Sequence, residues 1–367
     1  MHKLLLTNLS KKFSVKNFFT NTTFIQALNA QMEVFMLKKY KVAIVGATGL
    51  VGRTALRVLE EKNLPNIEYF LFCSKKSANT KINFLNTTYI TQELTESTFD
   101  NYHFDYAIFC AGGSVSKKYA PIAASKGCIV IDNSSVFRMD DNVPLVVPEV
   151  NPNDALSNHG IIANPNCSTI QAVLPLKALD DKYGIKRVIY STYQAVSGAG
   201  RSGIEDLLNK SSGDNLKKFP YSIYNNCIPH IDVFLDDGYT KEEHKMINET
   251  RKILNKPNLP ITATTVRVPV ENCHGESINV ELENDFDLYD VKIAFENFPN
   301  IIVVDNTQKN YYPLATIANG NDEVYVGRIR RDFSIKNGLN LWVVADNLRK
   351  GAASNAIQIL EFLLSNK

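Results

Sequence analysis

Short apolar runs alternate with helical segments through the first half of the chain. Four of the runs are apolar at nearly every position, and they span residues 40–45, 67–73, 106–110 and 128–132. Helical segments are predicted after the first and third runs, at residues 53–61 and 115–125. Strands that are apolar throughout and separated by helices indicate a parallel sheet covered on both faces. The pattern therefore predicts an α/β domain built on a parallel sheet.

The second half of the chain shows a different pattern. Its predicted strands alternate polar and apolar positions, which is typical of a sheet with one exposed face. These strands span residues 187–194, 261–269, 276–283, 301–305, 323–331 and 339–345. Helices are predicted at residues 203–208, 242–254 and 347–364. The last helix is amphipathic and should pack back on the first domain. We expect an α+β domain with a mixed sheet in this part of the chain.

The length and the charge of the chain indicate how many domains it has and which kinds of partner it is expected to lack. A chain of 367 residues suggests two domains. The net charge is +2, and residues 1–35 alone hold Lys3, Lys11, Lys12 and Lys16 against Glu33. The remainder is close to neutral, and nothing in it suggests a surface for nucleic acid. No apolar run approaches the ~20 residues that a membrane span requires. We therefore expect neither a nucleic acid nor a membrane as a partner.

Cysteine usage and the amino-terminal segment bear on location. Six cysteines are scattered without a C-x-x-C pair, which argues against a zinc site or a disulfide framework. We therefore expect no bound metal and a reducing, cytoplasmic compartment. Residues 1–37 form an extension that is basic but lacks the arginine usual in organellar transit peptides. A start codon misassigned ahead of Met36, or a disordered tail, is favoured over organellar targeting.

A glycine turn follows the first predicted strand directly. Residues 46–52 have the sequence GATGLVG, which spaces its glycines as G-x-x-G-x-x-G. Small residues let the backbone approach a pyrophosphate closely, and the N-terminus of the following helix offers it N–H groups. A second small-residue turn, which includes Gly112, follows the strand at residues 106–110. Strand, turn and helix together predict a Rossmann-type dinucleotide site, although glycine turns also occur as simple connections.

The residues after the second strand predict which dinucleotide binds. In NAD enzymes an Asp or Glu near this strand end accepts a hydrogen bond from the ribose 2′-hydroxyl. This chain has Ser74, Lys75, Lys76 and Ser77 at that position. Hydroxyls and lysines suit a 2′-phosphate, so the segment favours NADP. The alternative is an ordinary solvated basic loop.

Residues 164–171 contain the candidate nucleophile. An apolar run leads into Asn164-Pro165-Asn166, and an apolar helical segment follows. Asn-Pro favours a turn, and Asn166 is placed as a helix N-cap. Cys167 would then lie in the first helical turn, where unpaired N–H groups and the helix dipole favour a thiolate. We therefore expect a lowered pKa and a nucleophilic sulfur at Cys167. The alternative is a buried structural cysteine.

Eight motifs, taken in order along the chain, resemble the aspartate-β-semialdehyde dehydrogenase family. They lie at residues 46–52 (GATGLVG), 132–138 (DNSSVFR), 164–171 (NPNCSTIQ), 193–200 (YQAVSGAG), 242–245 (EEHK), 249–254 (ETRKIL), 267–274 (RVPVENCH) and 345–350 (ADNLRK). The combination of the cysteine, glutamine and histidine motifs is highly specific. The resemblance begins at about residue 39 and runs to the C-terminus, so residues 1–35 lie outside it.

The resemblance implies a role for each matched side chain at the reacting centre. Cys167 would attack the substrate carbonyl carbon, and His274 would act as the general acid and base. Gln194 would orient the carbonyl group. Arg267 would bind the α-carboxylate of the substrate, and Glu242 would hold its amino group. The phosphate site implied by the family pattern consists of Arg138, Asn166 and Lys245.

The resemblance also bears on the cofactor, the domains and the assembly. Together with the glycine turns, it predicts NADP contacts at Gly46, Thr48, Gly49, Leu50, Val51, Gly52, Ser74, Lys76, Ser77, Gly112, Ser197, Gly198 and Asn347. Lys76 stands where many relatives have arginine, so it would contact a 2′-phosphate as a point charge. The NADP-binding domain would comprise residues 38–165, completed by 346–367. Residues 166–345 would form the catalytic and dimerisation domain of a homodimer, or of a tetramer built from two dimers.

The expected reaction is a reversible, NADP-dependent reductive dephosphorylation. It would convert L-aspartyl-4-phosphate to L-aspartate 4-semialdehyde through a Cys167 thioester, in the biosynthesis of lysine, threonine, methionine and diaminopimelate. One alternative is an N-acetyl-glutamyl-phosphate reductase-like enzyme, whose acetylated substrate would leave Glu242 without a cation to bind. Another is a non-catalytic NADP- or redox-sensing module, which has no need of an oriented carbonyl site.

Overall fold

A computed structural model of the protein describes residues 39–366. The predicted extension at residues 1–37 lies outside the described residues, and so does the choice between a tail and a targeting segment. Lys41–Pro65 and the chain from Tyr69 onward form one compact body. Tyr40 and Asn66–Glu68 belong to a second, small unit, in which the Tyr40 N–H donates to the Asn66 carbonyl at 2.8 Å.

The strands of the first half form a parallel sheet and a separate hairpin. They are β1 Tyr40–Val45, β2 Ile67–Cys73, β3 Lys81–Phe84, β4 Thr87–Ile90, β5 Gln92–Glu93, β6 Tyr106–Phe109, β7 Ile129–Asp132 and β8 Ile161–Ala163. β3 pairs with β4, and the others form one sheet in the order β5-β2-β1-β6-β7-β8. In this sheet Val45, Phe109 and Asp132 are in register. The predicted parallel sheet is confirmed, and the turns that follow these strands gather at one edge.

The structure has nine α-helices among the described residues, and the helices predicted at residues 53–61, 115–125, 203–208 and 242–254 lie within three residues of their predicted bounds. The nine helices are α1 Leu50–Lys62, α2 Thr98–Asn101, α3 Gly113–Ser125, α4 Cys167–Tyr183, α5 Arg201–Leu208, α6 Lys241–Ile253, α7 Leu288–Glu296, α8 Ala315–Ala318 and α9 Ser354–Ser365. α1 begins earlier than predicted because Gly49, in the glycine turn, serves as its N-cap. α4 is buried along most of its length, since Ile170, Val173 and Leu174 belong to the core that it shares with the second sheet.

The second sheet is mixed, as predicted. Its strands are β9 Ile185–Gln194, β10 Ile261–Arg267, β11 His274–Leu282, β12 Ile301–Val303, β13 Val324–Asp332 and β14 Gly338–Ala345, and their order is β10-β9-β11-β14-β13-β12. β9 runs parallel to β10 and antiparallel to β11. Arg267 pairs with Gln194, and Gly275 pairs with Tyr193. The register therefore places Gln194, Arg267 and His274 at one end of the sheet.

Two local predictions are wrong. The strand predicted at residues 276–283, which left His274 in the preceding loop, begins at His274 because this residue pairs with Ala345 of β14. The final helix was expected to be continuous from residue 347, but Arg349–Ala353 is a π-helical turn and α9 follows it. A π-helical turn is a single wider turn with i→i+5 hydrogen bonds, and it often occurs at functional sites. The helix propensities of the local residues do not predict it.

The last helix returns to the first sheet region, as predicted. Lys62 of α1 forms an ion pair with Glu361 of α9, with 3.2 Å between Nζ and Oε2. The fold class is therefore confirmed: a parallel-sheet α/β part, a mixed-sheet part and a returning C-terminal helix. The predicted division at residues 165 and 345 stays a prediction.

Candidate active site

The turn before α4 places Cys167 at the start of a helix. Asn166 has the extended backbone angles of an N-cap, φ −61° and ψ 145°. Its Oδ1 accepts hydrogen bonds from the N–H groups of Ser168 and Thr169, at 3.0 and 3.3 Å. The predicted N-cap, and the position of Cys167 in the first helical turn, are therefore confirmed.

β11 brings His274 beside this cysteine. The Sγ of Cys167 lies 3.2 Å from Nε2 of His274. On the other side of the ring, the backbone N–H of Ala195 donates to Nδ1 at 2.9 Å. Because Nδ1 is an acceptor, we assign the proton of the neutral ring to Nε2, where it faces the sulfur as a donor. Sulfur and imidazole are within proton-transfer distance, and a backbone amide selects the tautomer.

The surroundings of this pair do not favour a thiolate. Cys167 keeps part of its surface exposed, yet burial of its sulfur raises the pKa of the thiol to about 12, and the charge of Glu242 adds to the shift. Arg267 and Arg138 act in the opposite direction but are weaker. Burial, helped by Arg267, lowers the pKa of His274 to about 3. The prediction of a lowered pKa at Cys167 is therefore wrong, because desolvation outweighs the helix N-terminus and both arginines.

Glu242, on α6, is the hub of the buried polar side chains. Its Oε1 accepts hydrogen bonds from Asn166 Nδ2 at 2.9 Å and from Gln194 Nε2 at 3.0 Å. Its Oε2 accepts from Lys245 Nζ at 3.0 Å, and Lys245 also pairs with Asp232 at 2.8 Å. Burial by itself raises the pKa of Glu242, but Lys245 and the two amides outweigh it and lower that pKa to about 2. Glu242 is therefore ionised at neutral pH.

Arg267 carries a buried charge without an anionic partner. Its side chain is buried, and its guanidinium makes one hydrogen bond to another described residue, from Nη1 to the Ala195 carbonyl at 2.6 Å. It forms no ion pair within residues 39–366. Burial lowers the pKa of Arg267. A buried cation without a partner is costly, so the geometry fits a carboxylate ligand at this position.

The guanidinium of Arg138 is largely occupied by the protein. Nε donates to the Asn164 carbonyl and Nη2 to the Asn133 carbonyl, both at 2.9 Å. Nη1 donates to Glu249 Oε1 at 3.0 Å, in a buried ion pair. Since a guanidinium has five N–H groups, one on Nη1 and one on Nη2 remain for a ligand. Glu249 accepts hydrogen bonds from both Arg138 and Asn166, and Glu242 accepts from both Asn166 and Lys245. The three predicted phosphate residues are therefore joined through these two carboxylates.

The glycine turn has the close backbone packing that a dinucleotide site needs. Gly46 has φ +89°, and a Cβ there would lie 2.8 Å from the Cys110 carbonyl carbon. A Cβ at Gly52 would lie 2.1 Å from the Gly46 carbonyl oxygen. No side chain caps the N–H groups at the start of α1. The turn, which also contains Thr48, Leu50 and Val51, therefore fits a pyrophosphate.

The remaining predicted cofactor residues lie in two groups. Ser74 and Lys76 are exposed and Ser77 is half-buried, in and beside a short turn after β2, and Gly112 caps α3 with φ +88°. Ser197 and Asn347 are buried, and Asn347 Nδ2 donates to Ser197 Oγ at 2.9 Å. Gly198 adjoins them, and a Cβ there would lie 3.2 Å from Cε1 of His274. The second group therefore adjoins His274, the neighbour of Cys167.

The chain is similar to known proteins over most of its length. Two protein-family models match the chain, the semialdehyde dehydrogenase NAD binding domain over residues 41–158 and the semialdehyde dehydrogenase dimerisation domain over residues 176–350. The aspartate-semialdehyde dehydrogenase of Aquifex aeolicus is 53% identical over 335 residues, which cover 89% of this chain and 98% of that protein.

This chain belongs to the aspartate-semialdehyde dehydrogenase family. Two solved structures of the family share its fold. The structure of aspartate semialdehyde dehydrogenase II from Vibrio cholerae, complexed with ASA, has a TM-score of 0.84 at 44% identity, covering 89% of this chain and 98% of that one. The Candida albicans aspartate semialdehyde dehydrogenase with NADP has a TM-score of 0.71 at 26% identity, covering 90% and 99%.

Family membership also bears on assembly and cofactor. The dimerisation domain indicates a homodimer, and the NAD binding domain indicates a nicotinamide dinucleotide. Among residues 39–366, no helix is long and apolar enough to span a membrane. The same residues contain no cluster of three or more His, Cys, Asp or Glu side chains arranged for a metal ion. The prediction that no metal is bound stays a prediction.

Sequence reasoning missed three residues that contact the site. Glu249 and Lys252 continue the face of α6 that carries Glu242 and Lys245, and the spacing of these four residues was a usable sign. Gly351 of the π-helical turn lies against the nucleophile, and a Cβ there would lie 2.8 Å from Cβ of Cys167. No pattern in the sequence marks that contact.

Proposed function

We propose that this protein is an NADP-dependent, phosphorylating aspartate-semialdehyde dehydrogenase. It interconverts L-aspartyl-4-phosphate and L-aspartate 4-semialdehyde through an acyl-thioester on Cys167. The observation that carries the proposal is the 3.2 Å contact between Cys167 Sγ and His274 Nε2, next to a buried arginine that lacks an anion. A nucleophile, a proton carrier and a carboxylate receptor in one place are what this reaction needs.

Two buried charges of opposite sign support an amino acid as the substrate. Arg267 has donors for the α-carboxylate, and bidentate contact would fix its orientation. Glu242 uses both oxygens within the protein, through three hydrogen bonds, and a carboxylate has about four lone-pair sites. One site is left for the ammonium group. Gln194 donates to the same carboxylate, so its amide is held where it orients the substrate carbonyl.

The polar groups around Cys167 support a thioester mechanism. The sulfur attacks the acyl carbon, the carbonyl oxygen takes up negative charge, and collapse releases phosphate. The thiol proton passes to an oxygen of the departing phosphate. Nε2 of His274 already carries a proton and lies 3.2 Å from the sulfur, so it acts as the hydrogen-bond donor and acid that stabilises the developing negative charge. The same N–H stabilises the oxygen of the tetrahedral intermediate. Arg138, Asn166 and Lys245 bind the phosphate.

The cofactor is NADP, held by the chain's backbone and by a few exposed side chains. The N–H groups at Thr48, Leu50 and Val51 bind the pyrophosphate, Gly49 lets it approach the backbone closely, and Ser74, Lys76 and Ser77 bind the 2′-phosphate. Ser197, Gly198 and Asn347 lie next to His274 and orient the nicotinamide. When bound, NADP accepts a hydride from the substrate carbon or donates one to it. The C. albicans relative described with NADP supports this choice of cofactor.

The proposed context follows from the same assignment. The enzyme serves the biosynthesis of lysine, threonine, methionine and diaminopimelate, in the cytoplasm, as a homodimer or a tetramer of two dimers. It binds neither nucleic acid nor membranes. The N-acetyl-glutamyl-phosphate reductase alternative is disfavoured because an acetylated amine carries no charge for the remaining lone-pair site of the ionised Glu242 carboxylate to bind. The sensor alternative is disfavoured because it leaves Arg267 without a role.

The test is NADP reduction with aspartate semialdehyde, with and without phosphate. We expect reduction that requires phosphate, no turnover of the N-acetyl-glutamyl semialdehyde, and a loss of at least about a thousandfold in Cys167→Ala with NADP binding kept. Cys227→Ala is the matched control, because Cys227 is exposed, and it should keep full activity. Phosphate-independent reduction, or activity in Cys167→Ala, contradicts the proposal.

A further inference from the structure

One face of α6 presents four charged residues to the active-site region. Glu242, Lys245, Glu249 and Lys252 recur at helical spacing, and the two glutamates are buried. The first two residues belong to the proposed substrate and phosphate sites. Glu249 and Lys252 lie further along the same face, and both form hydrogen bonds with groups of the protein. The question is what a second buried carboxylate does there.

Glu249 divides its carboxylate between two parts of the site. Oε1 accepts from Nη1 of Arg138 at 3.0 Å, and Oε2 accepts from the backbone N–H of Asn166 at 2.6 Å. Asn166 is the N-cap of the helix that begins with Cys167. The side chain is 1% exposed, so both contacts are made without competition from water. One carboxylate therefore holds a phosphate-site arginine and the turn of the nucleophile together.

Lys252 holds the other side of the same arginine. Its Nζ donates to the carbonyl oxygens of Arg138, Asp140 and Val143, at 2.9, 2.7 and 2.9 Å. The loop that carries Arg138 is thus anchored to α6 by its backbone, and the guanidinium is anchored by Glu249. The contacts of Lys252 and Glu249 together fix the direction, relative to Cys167, in which the two remaining N–H groups of Arg138 point.

We propose that Glu249 is a positioning residue that aligns the phosphate-binding arginine with the nucleophile. The inference rests on the proposed function, since it takes Arg138 as a phosphate ligand. Glu249 does not touch the substrate. It acts by fixing the free N–H groups of Arg138 at a set distance from the acyl carbon that Cys167 attacks. Loss of Glu249 should therefore weaken phosphate binding selectively, before it affects the carboxylate and amine contacts at Arg267 and Glu242.

Glu249→Gln is the direct test, because glutamine keeps the volume but offers one acceptor oxygen and an NH₂ group. That NH₂ would face either Arg138 or the Asn166 N–H, both of which are donors, so one contact is lost. We expect the KM for phosphate to rise about tenfold, while the KM for the semialdehyde changes less than about twofold. Equal rises in both KM values, or no rise, would overturn the proposal.

Glu243→Gln is the matched control. Glu243 is also buried on α6, and its carboxylate also accepts two backbone N–H groups, from Thr240 at 2.7 Å and Thr265 at 3.0 Å. It contacts neither Arg138 nor Asn166. A purely structural role for Glu249 predicts that the two variants behave alike, with a lower Tm and no selective effect on phosphate. A selective effect in Glu249→Gln alone supports positioning.

A double variant tests whether Glu249 acts through Arg138. Arg138→Gln should raise the KM for phosphate, and adding Glu249→Gln should change it by less than about twofold further. Additive effects would overturn the proposal. If Glu249→Gln does not fold, Glu249→Asp replaces it, since aspartate keeps the charge but cannot reach both partners. Wild-type activity that ignores phosphate would instead refute the proposed function, so the two failures are distinguishable.

Discussion

The cofactor crevice and the catalytic end of the second sheet are built in opposite ways. At the glycine turn proposed to hold the cofactor, the backbone forms the site, through glycines at 46 and 52, and the nearby side chains of Ser74 and Lys76 are exposed. At the catalytic end the side chains form the site, and they are buried and share partners, as Glu242 does with Asn166 and Gln194.

This difference decides how far residue type predicts chemistry. An exposed lysine or a backbone amide keeps the properties that it has in water or in a peptide. A buried ionisable group takes its pKa from desolvation and from its neighbours. Cys167 shows the second case, because its helix N-terminus alone would lower its pKa, and burial raises it to about 12. Four predictions test the comparison.

The largest expected effect is on the reactivity of Cys167 in the free enzyme. With the pKa of its thiol near 12, the thiolate fraction rises tenfold per pH unit, so alkylation by iodoacetamide should rise about a thousandfold from pH 6 to pH 9. The modification rate, followed by mass spectrometry of the Cys167 peptide, checks this. Cys227 provides an internal exposed reference. An alkylation rate that reaches a plateau near pH 7 would show that the helix N-terminus lowers the pKa of Cys167 more than burial raises it.

Gly351→Val should disturb Cys167 through backbone and Cβ contacts, without removing any polar side chain. A Cβ at this position meets Cβ of Cys167 at 2.8 Å and its Cα at 3.2 Å, so the helix start must shift. We expect kcat to fall about a hundredfold, because small misplacements of a nucleophile are costly. Gly351→Ala should show a smaller loss of the same kind, and NADP affinity should stay near wild type. A kcat in both variants equal to that of the wild type would contradict the close contact between residue 351 and Cys167.

Glu276→Gln should stabilise the fold, and more so as pH rises. Glu276 lies on β11 beyond His274, and burial raises its pKa well above the ordinary value. A raised pKa means that stability is present below the unfolded-state pKa and is lost as pH rises toward the folded-state pKa. Wild type should therefore lose up to about 1.4 kcal/mol per pH unit relative to Glu276→Gln above pH ~4.5. Urea unfolding at a series of pH values measures the free energy of unfolding of both proteins. A difference between wild type and Glu276→Gln that stays constant with pH would contradict the prediction.

Lys76→Ala should have the smallest effect, because the side chain is exposed. We expect NADP to bind about fivefold more weakly and NAD to bind unchanged, since a solvated point charge contributes modestly. Titration of both cofactors against wild type measures the ratio. Lys75→Ala, at the neighbouring exposed position, is the matched control. A loss shared by NAD and NADP would show that Lys76 supports the fold rather than the 2′-phosphate.

Much of the molecule was predictable from its sequence because it depends on local patterns. The strand β2 has its predicted bounds, Ile67–Cys73, and the Asn166 N-cap begins α4 at Cys167 as expected. Periodicity and capping act over a few residues, and a sequence displays them directly. Motif order was enough to predict the family. The roles of the matched side chains stay predictions, although the structure brings Cys167 and His274 together.

Only the tertiary structure decided the electrostatics of the site. The contacts that set it join residues far apart in the chain: Cys167 and His274 are separated by 107 positions, Asn166 and Glu249 by 83, and Arg138 and Glu249 by 111. A sequence shows that these charges exist, but not which of them are buried or paired. Desolvation and pairing act through space, so the neutral thiol, the unpaired Arg267 and the anchoring role of Glu249 emerged only once the chain was folded.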